Sequence, residues 1–402
     1  MSMNKTFGSI LIIAGTTIGA GMLALPLASA SLGFTTATLL MAAIWSLMIY
    51  TALLMLEVHQ HAAPHATLHT LAYQLLGRKG QMIASFAMIF LFYALCSAYI
   101  AGGGAQLNDK LTHWMGLNVN PQTGTIIFTV FIAAVVSVGT HSVDIINRVL
   151  FTLKVIALFV MLWLLIPHIQ SQHLIDMPVH KGLIISALPV VFTSFGFHGS
   201  IPSVVRYVGV DIKSLRKIML IGSAVPLLVY ILWQAASQGV LNQSDLIAST
   251  TLGAFISTLS SMLNNPLVSK SVSIFADLAL ATSFLGVSLG LFDFISDTLK
   301  RTNCLKGRLQ TALVTFVPPL CFALFYPQGF ITALGYAAIA LVILALFLPV
   351  AMVVAQRKTH QKTAQCYQVR GGTAALYTVT GAGLLIIAAQ LLQMAGFIPA
   401  VG

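Results

Sequence analysis

Apolar residues in this chain come in runs too long for any globular element, interrupted only by short polar or Gly/Pro-bearing stretches. Each run holds about 18 to 25 residues, enough to cross roughly 30 Å of hydrocarbon as a helix. Helix is the required form, because in lipid every backbone N–H and C=O must find its partner inside the segment. Reading the runs against their punctuation predicts an all-α polytopic membrane protein with eleven spans, at approximately 7–30, 34–57, 81–107, 123–140, 148–170, 183–206, 217–238, 269–298, 308–326, 329–354 and 374–397. The tightest join is Tyr326-Pro327-Gln328-Gly329, whose Pro and Gly suit a short helical hairpin.

The basic residues sort the loops. With the N-terminus cytoplasmic, one side collects Lys5, Arg78, Lys79, Arg148, Arg206, Lys213, Arg216, Lys217, Lys300, Arg301, Lys306, Arg308, Arg357, Lys358, Lys362 and Arg370, and the other only Lys110, Lys181 and Lys270. Sixteen against three is the positive-inside asymmetry, and it puts the C-terminus on the outer, periplasmic side. The segment Met1 to Ala30 has the outline of a signal peptide, but its apolar stretch is long, carries glycines and opens a series of spans, so it is read as an uncleaved first helix.

Composition agrees: 58% of the 402 residues are hydrophobic and 7% charged, with mean hydropathy +0.93, a balance that only lipid can solvate. The net charge of +11 does not signal nucleic acid, since the basic residues lie between apolar runs and form no aromatic-studded patch. Cys96, Cys304, Cys321 and Cys366 contain no CxxC pair, so neither a disulfide framework nor a zinc site is indicated. No GxxxxGK[ST] occurs, so no ATP machinery is visible. Two charges inside spans stand out. Lys154 stands six positions beyond Arg148, about 9 Å deeper along a helix; it either snorkels to the interface or serves the interior. Asp277 lies about eight residues inside span eight, where a charge costs about 2.5–3.5 kcal/mol and should face the protein interior.

Two spans are built to break. Span one contains GTTIGAGMLALP from Gly15 to Pro26, and span six contains FTSFGFHGSIP from Phe192 to Pro202. Thr16-Thr17-Ile18-Gly19 aligns with Thr193-Ser194-Phe195-Gly196, 177 residues on, with a proline shortly after each block. Five spans separate the blocks, and an odd number turns the second half over, giving inverted repeats at 1–170 and 183–354 with an additional span at 374–397. Glycine costs a helix about 1 kcal/mol relative to alanine, so these segments unwind cheaply. Unwound backbone is tolerated in a bilayer only where it lines a cavity or binds a ligand, although small residues also serve close helix packing. Half-helix N-termini suit a carboxylate and freed carbonyls suit an ammonium, which makes an amino acid the fitting ligand.

These stretches resemble the aromatic amino acid permeases of bacteria, a branch of the amino acid/polyamine/organocation superfamily, nearest to the tyrosine-transporting members. FADLALATSFLGVSLGLFD from Phe275 to Asp293 and GRLQTALVTFVPPL followed by LFYPQGF carry the likeness as well, which covers essentially the whole chain. The resemblance implies a proton symporter of the bacterial inner membrane with the leucine-transporter-like fold, importing tyrosine, or tryptophan or aromatic amino acids broadly, by alternating access with no cofactor beyond the proton gradient. It implies that substrate meets Gly15, Thr16, Thr17, Ile18, Gly19, Ala20 and Gly21 in span one and Phe192, Thr193, Ser194, Phe195, Gly196, Phe197 and His198 in span six. It also implies that span three faces the pocket, with Tyr93, Ser97 and Tyr99 as candidates, and that a span-five lysine, here Lys154, occupies the place of a sodium ion in sodium-driven relatives. Thr282 and Ser283 are then the oxygens Lys154 approaches, and Asp277 is the rival proton carrier.

The histidines His59, His61, His65 and His69 are read as a solvated loop and not a metal site, because Pro64 interrupts their helical spacing. A channel or membrane sensor would need a pore-lining charge ring or an attached soluble domain, and an intramembrane enzyme a paired acid or nucleophile; neither pattern is present.

Overall fold

The computed structural model describes residues 3–63, 65–115, 120–175, 183–263, 266–299, 305–359 and 366–399. Pro64, Lys181, Lys300, Arg301, Cys304 and Lys362 of the sequence reading lie outside them. Among the described residues every regular element is helical: α1 (Met3–Thr17), α2 (Ala20–Ala28), α3 (Phe34–His59), α4 (Leu68–Met115), α5 (Pro121–Val138), α6 (Thr140–Leu165), α7 (Leu183–Ser194), α8 (Ile201–Val208), α9 (Ile212–Val240), α10 (Gln243–Ala248), α11 (Leu252–Leu263), α12 (Pro266–Thr298), α13 (Leu305–Phe325), α14 (Phe330–Val342), α15 (Leu348–Thr359) and α16 (Gly372–Met394). A π turn, Ile343–Phe347, joins α14 to α15. Among the described residues nine runs are long and apolar enough to cross a bilayer, or ten when α1 and α2, bent by 50° at their break, count as one; Gln122–Val138 is a shorter apolar helix.

The helix ends gather on two opposite faces. On one, Lys5 of α1 lies 5.7 Å from the Tyr207 ring of α8, Arg216 of α9 lies 4.9 Å from the Tyr367 ring, and Arg357 of α15 pairs with Glu57 of α3 at 2.7 Å. On the other, Lys110 of α4 pairs with Asp277 of α12, and Gln393 of α16 donates to the Ser186 carbonyl of α7 at 2.6 Å. α7 and α8 together therefore run from the second face to the first, and α16 ends on the face where α7 begins.

Several boundaries differ from the sequence reading. Span five was expected from 148, but α6 begins at Thr140. Asp144 and Arg148, one helical turn apart, pair at 2.8 Å on an exposed face and let the helix continue. Lys154 consequently sits fourteen residues into α6, about 21 Å along it, and not near an end. Span three was expected from 81; α4 starts at Leu68 and turns at Gly77, whose φ of 69° is left-handed backbone that glycine adopts freely. This lead-in corrects the histidine loop: His69 is helical, its ring held by Gln81 at 2.8 Å and Ser85 at 2.9 Å, and His59 is fully buried. The short α10 and α11, between spans seven and eight, were not anticipated; α11 packs on α2, α4 and α12 and covers the second face.

Candidate substrate and coupling site

The α1 ladder stops at Thr17. Ile18 and Gly19 are non-helical, Gly19 being extended at φ −147°, ψ −156°, and α2 restarts at Ala20. A break of this kind strands donors at one half-helix start and acceptors at the other's end, and here neighbouring spans meet several of them. The Ala20 N–H donates to Ser283 Oγ of α12 at 3.1 Å. The Ile18 carbonyl accepts from Lys154 Nζ at 2.8 Å. In the first turn of α2 the Gly21 carbonyl also accepts from Ser194 Oγ at 3.0 Å, and the Met22 carbonyl, which Pro26 cannot bond, accepts from Trp233 Nε1 at 3.0 Å. Lys154 is 3% exposed, and its ammonium lies 4.8 Å from the Phe151 ring centroid. Glycine is needed at two of these points: a Cβ on Gly19 would come within 2.6 Å of Ser283 Oγ, and one on Gly15 within 2.8 Å of the Phe151 ring.

The second break matches the first. α7 ends at Ser194; Phe195, Gly196 and Phe197 are non-helical, a 3-10 turn follows over His198–Ser200, and α8 resumes at Ile201. Thr193 Oγ1 donates to the Leu334 carbonyl of α14 at 3.0 Å. His198 Nε2 and Thr51 Oγ1 of α3 hydrogen-bond at 2.9 Å, and Ser200 Oγ reaches Thr16 Oγ1 at 3.1 Å. The two breaks touch directly, since a Cβ on Gly21 would stand 3.2 Å from Ser194 Cα. One α9 side chain serves both: Tyr230 Oη lies 2.7 Å from the Thr17 carbonyl and 2.8 Å from the Ser194 carbonyl. The site thus pairs two helix C-terminal ends, bearing partial negative charge, with the start of α2, bearing partial positive charge. That is the charge pattern of a zwitterion's complement.

Similarity to known proteins runs the length of the chain. A model of the tryptophan/tyrosine permease family matches residues 2–390. The chain belongs to the tryptophan/tyrosine permease family. The permease is 44% identical to tyrosine-specific transport system 1 of Haemophilus influenzae, over 99% of both chains. It is 40% identical to tyrosine-specific transport system 2 of the same organism over 100% of both, and 35% identical to that organism's tryptophan-specific transport protein over 96% of this chain and 95% of the relative. It is a membrane transport protein and not an enzyme.

The other candidates fall as follows in the permease. Phe192, Phe195 and Phe197 are all buried, Phe195 standing edge-on to Tyr230 with centroids 5.1 Å apart and Phe197 against the His198 ring at 5.0 Å. Tyr93 is turned to α13, its hydroxyl donating to the Val314 carbonyl at 2.7 Å, while Ser97 bonds back to the Tyr93 carbonyl at 2.8 Å. Lys154 bonds the Ile18 carbonyl, whereas Ser283 takes the Ala20 N–H and Thr282 bonds its own helix at the Leu278 carbonyl, 2.8 Å away. Asp277 lies on the covered face, paired with Lys110, away from the breaks. Sequence reasoning passed over Tyr230, Trp233 and Thr51; the only signal was a hydroxyl or indole N–H within an apolar run, where each wants a partner.

Proposed function

We propose that the permease imports L-tyrosine across the bacterial inner membrane by proton symport, holding the substrate between the broken spans and exposing it to each side in turn. The observation that carries this reading is the meeting of two helix breaks at which a buried lysine, Lys154, closes one freed carbonyl. The names of the two tyrosine-specific relatives support tyrosine, and the tryptophan-specific relative supplies the competing substrate.

The eleven-span, five-plus-five arrangement gains support from which helices tend each break. Span five reaches the first through Lys154, and span ten reaches the second through Leu334. Span seven reaches the first through Tyr230, and span two reaches the second through Thr51 and His198. Those are the partnerships an inverted repeat exchanges, one with six, two with seven and five with ten. Protonated Lys154 fastens Ile18 to span five; on losing its proton it gives up the charge that strengthens this bond, and the half-helix is free to swing. A zwitterion carried with one proton gains about 2.3 kcal/mol per 100 mV of membrane potential, enough for roughly 50-fold accumulation. In this reading the N-terminus is cytoplasmic and the C-terminus periplasmic, which the sixteen-to-three distribution of basic residues supports.

Proteoliposomes decide the matter. Labelled tyrosine should accumulate under an imposed proton gradient and be displaced by unlabelled tyrosine more effectively than by tryptophan, phenylalanine or leucine. Lys154→Met should abolish gradient-driven accumulation, and Asp277→Asn should retain it. Full coupling in the lysine variant would defeat the proposed carrier, and better competition by tryptophan would reassign the substrate.

A further inference from the structure

Tyr230 presents an unequal match of donors to acceptors. Thr17 and Ser194 are the last residues of α1 and α7, and their carbonyls, at the negative ends of two helices, both rest on one phenolic hydroxyl at 2.7 and 2.8 Å. That hydroxyl has a single proton. It makes one full hydrogen bond at a time, so of the two carbonyls resting on it one is short of a donor. All three residues are buried, Thr17 at 5%, Ser194 at 4% and Tyr230 at 0% exposure, and no bulk water relieves the shortage. An ammonium group has three protons and a charge, and its hydrogen bonds are roughly twice as strong as a neutral donor's.

We propose that the Tyr230 hydroxyl is a placeholder for the substrate's ammonium group: it bridges the two carbonyls in the empty permease and yields at least one of them when an α-amino acid binds. The inference rests on the reading that a zwitterion binds between the breaks, and it adds a source of selectivity. A ligand without an amino group cannot satisfy the carbonyls it would have to uncover, so Tyr230 stays in place against it. The phenol also ties α1 to α7 while the site is empty, and handing over the carbonyls makes the substrate itself the tether. Tyr230 acts through the carbonyls it frees and is a positioning residue.

Equilibrium binding to the purified full-length permease tests this with two probes, L-tyrosine and its des-amino analogue 3-(4-hydroxyphenyl)propionate. Tyr230→Phe keeps the ring against Phe195 and removes only the competing donor. Removing the hydroxyl orphans the one carbonyl it was serving and penalises the unliganded state, so tyrosine should bind about tenfold tighter while the analogue's inhibition constant stays within about twofold. Weaker tyrosine binding, or an equal shift for both ligands as a loosened fold would give, overturns the proposal. Should the variant not fold, 3-fluorotyrosine placed at position 230 reports by fluorine NMR. Its resonance should move on saturation with tyrosine and stay unmoved with the analogue, and a resonance unmoved while tyrosine is bound refutes the placeholder role alone. Failure of the unsubstituted permease to bind tyrosine would instead bring down the substrate reading, and this inference with it.

Discussion

Gly19 and Ser283 form the most constrained contact at the first break, because the Ser283 hydroxyl fills the volume that any larger residue at 19 would claim. In Gly19→Ala the new Cβ would sit 2.6 Å from Ser283 Oγ. The hydroxyl must then rotate away and the Ala20 N–H loses its partner, a net loss of about 0.5–1.5 kcal/mol. Tyrosine uptake should fall about tenfold in that variant, whereas Gly381→Ala, whose Cβ meets nothing within 4 Å, should behave as the unsubstituted chain. Adding Ser283→Ala to Gly19→Ala removes the collision though not the missing acceptor, so uptake in the double variant should exceed that of Gly19→Ala alone; strictly additive losses would show that the two residues do not meet. At this scale the sequence was only partly legible. Glycine spacing exposes a break because glycine's backbone cost is local, and both breaks fall where the matched Thr-Thr-Ile-Gly and Thr-Ser-Phe-Gly blocks place them. Tyr230 and Thr51 are ordinary members of apolar runs, and their roles arise from contacts 213 and 147 residues away in sequence.

Among elements, the strap that precedes α16 is held with unusual care. Glu57, 3% exposed at the end of α3, receives two hydrogen bonds from Arg357 of α15 at 2.7 and 2.8 Å and one from the Val369 N–H at 2.8 Å. Gln60 adds a two-way bond to the Tyr367 backbone, at 2.7 and 2.9 Å, so the strap is clipped to α3 and α15 together. Breaking a buried pair from one side leaves a charge without compensation, at about 3–5 kcal/mol, while replacing both partners is far milder. Glu57→Gln should therefore lower the thermal midpoint in detergent more than Glu57→Gln combined with Arg357→Met, and an additive double variant would count against the pair acting as a unit. None of this was visible from periodicity, which reports which face of a helix is apolar and says nothing of which distant loop lies on it. The same limit explains the misplaced start of α6: a charged first turn reads as loop until Asp144 and Arg148 are seen to neutralise each other along one helix face.

For the whole molecule, burial around the breaks is lopsided, and that asymmetry predicts the side from which a reagent reaches them. In α2 every residue from Met22 to Ala28 is buried, with Met22, Leu23, Ala24 and Leu25 at 0% exposure, and α11 closes over the same end. On the side of the N-terminus, Thr16, Gly199 and Gly286 are exposed, while Thr17 and Ser194 just beyond them are not. With α2 packed under α11 and Thr16 exposed beyond the break, an impermeant thiol reagent should reach the breaks from the N-terminal side only. In a chain whose four native cysteines are replaced by alanine, Thr16→Cys should be labelled by a membrane-impermeant maleimide in inside-out vesicles and spared in right-side-out ones, with Ala24→Cys unlabelled in both. Saturating tyrosine should slow labelling at 16, since a ligand held between α1 and α7 draws the half-helices together. Fast labelling of Ala24→Cys from the α11 side without substrate would mean that the resting permease opens the opposite way, and labelling at 16 indifferent to tyrosine would detach the breaks from substrate binding.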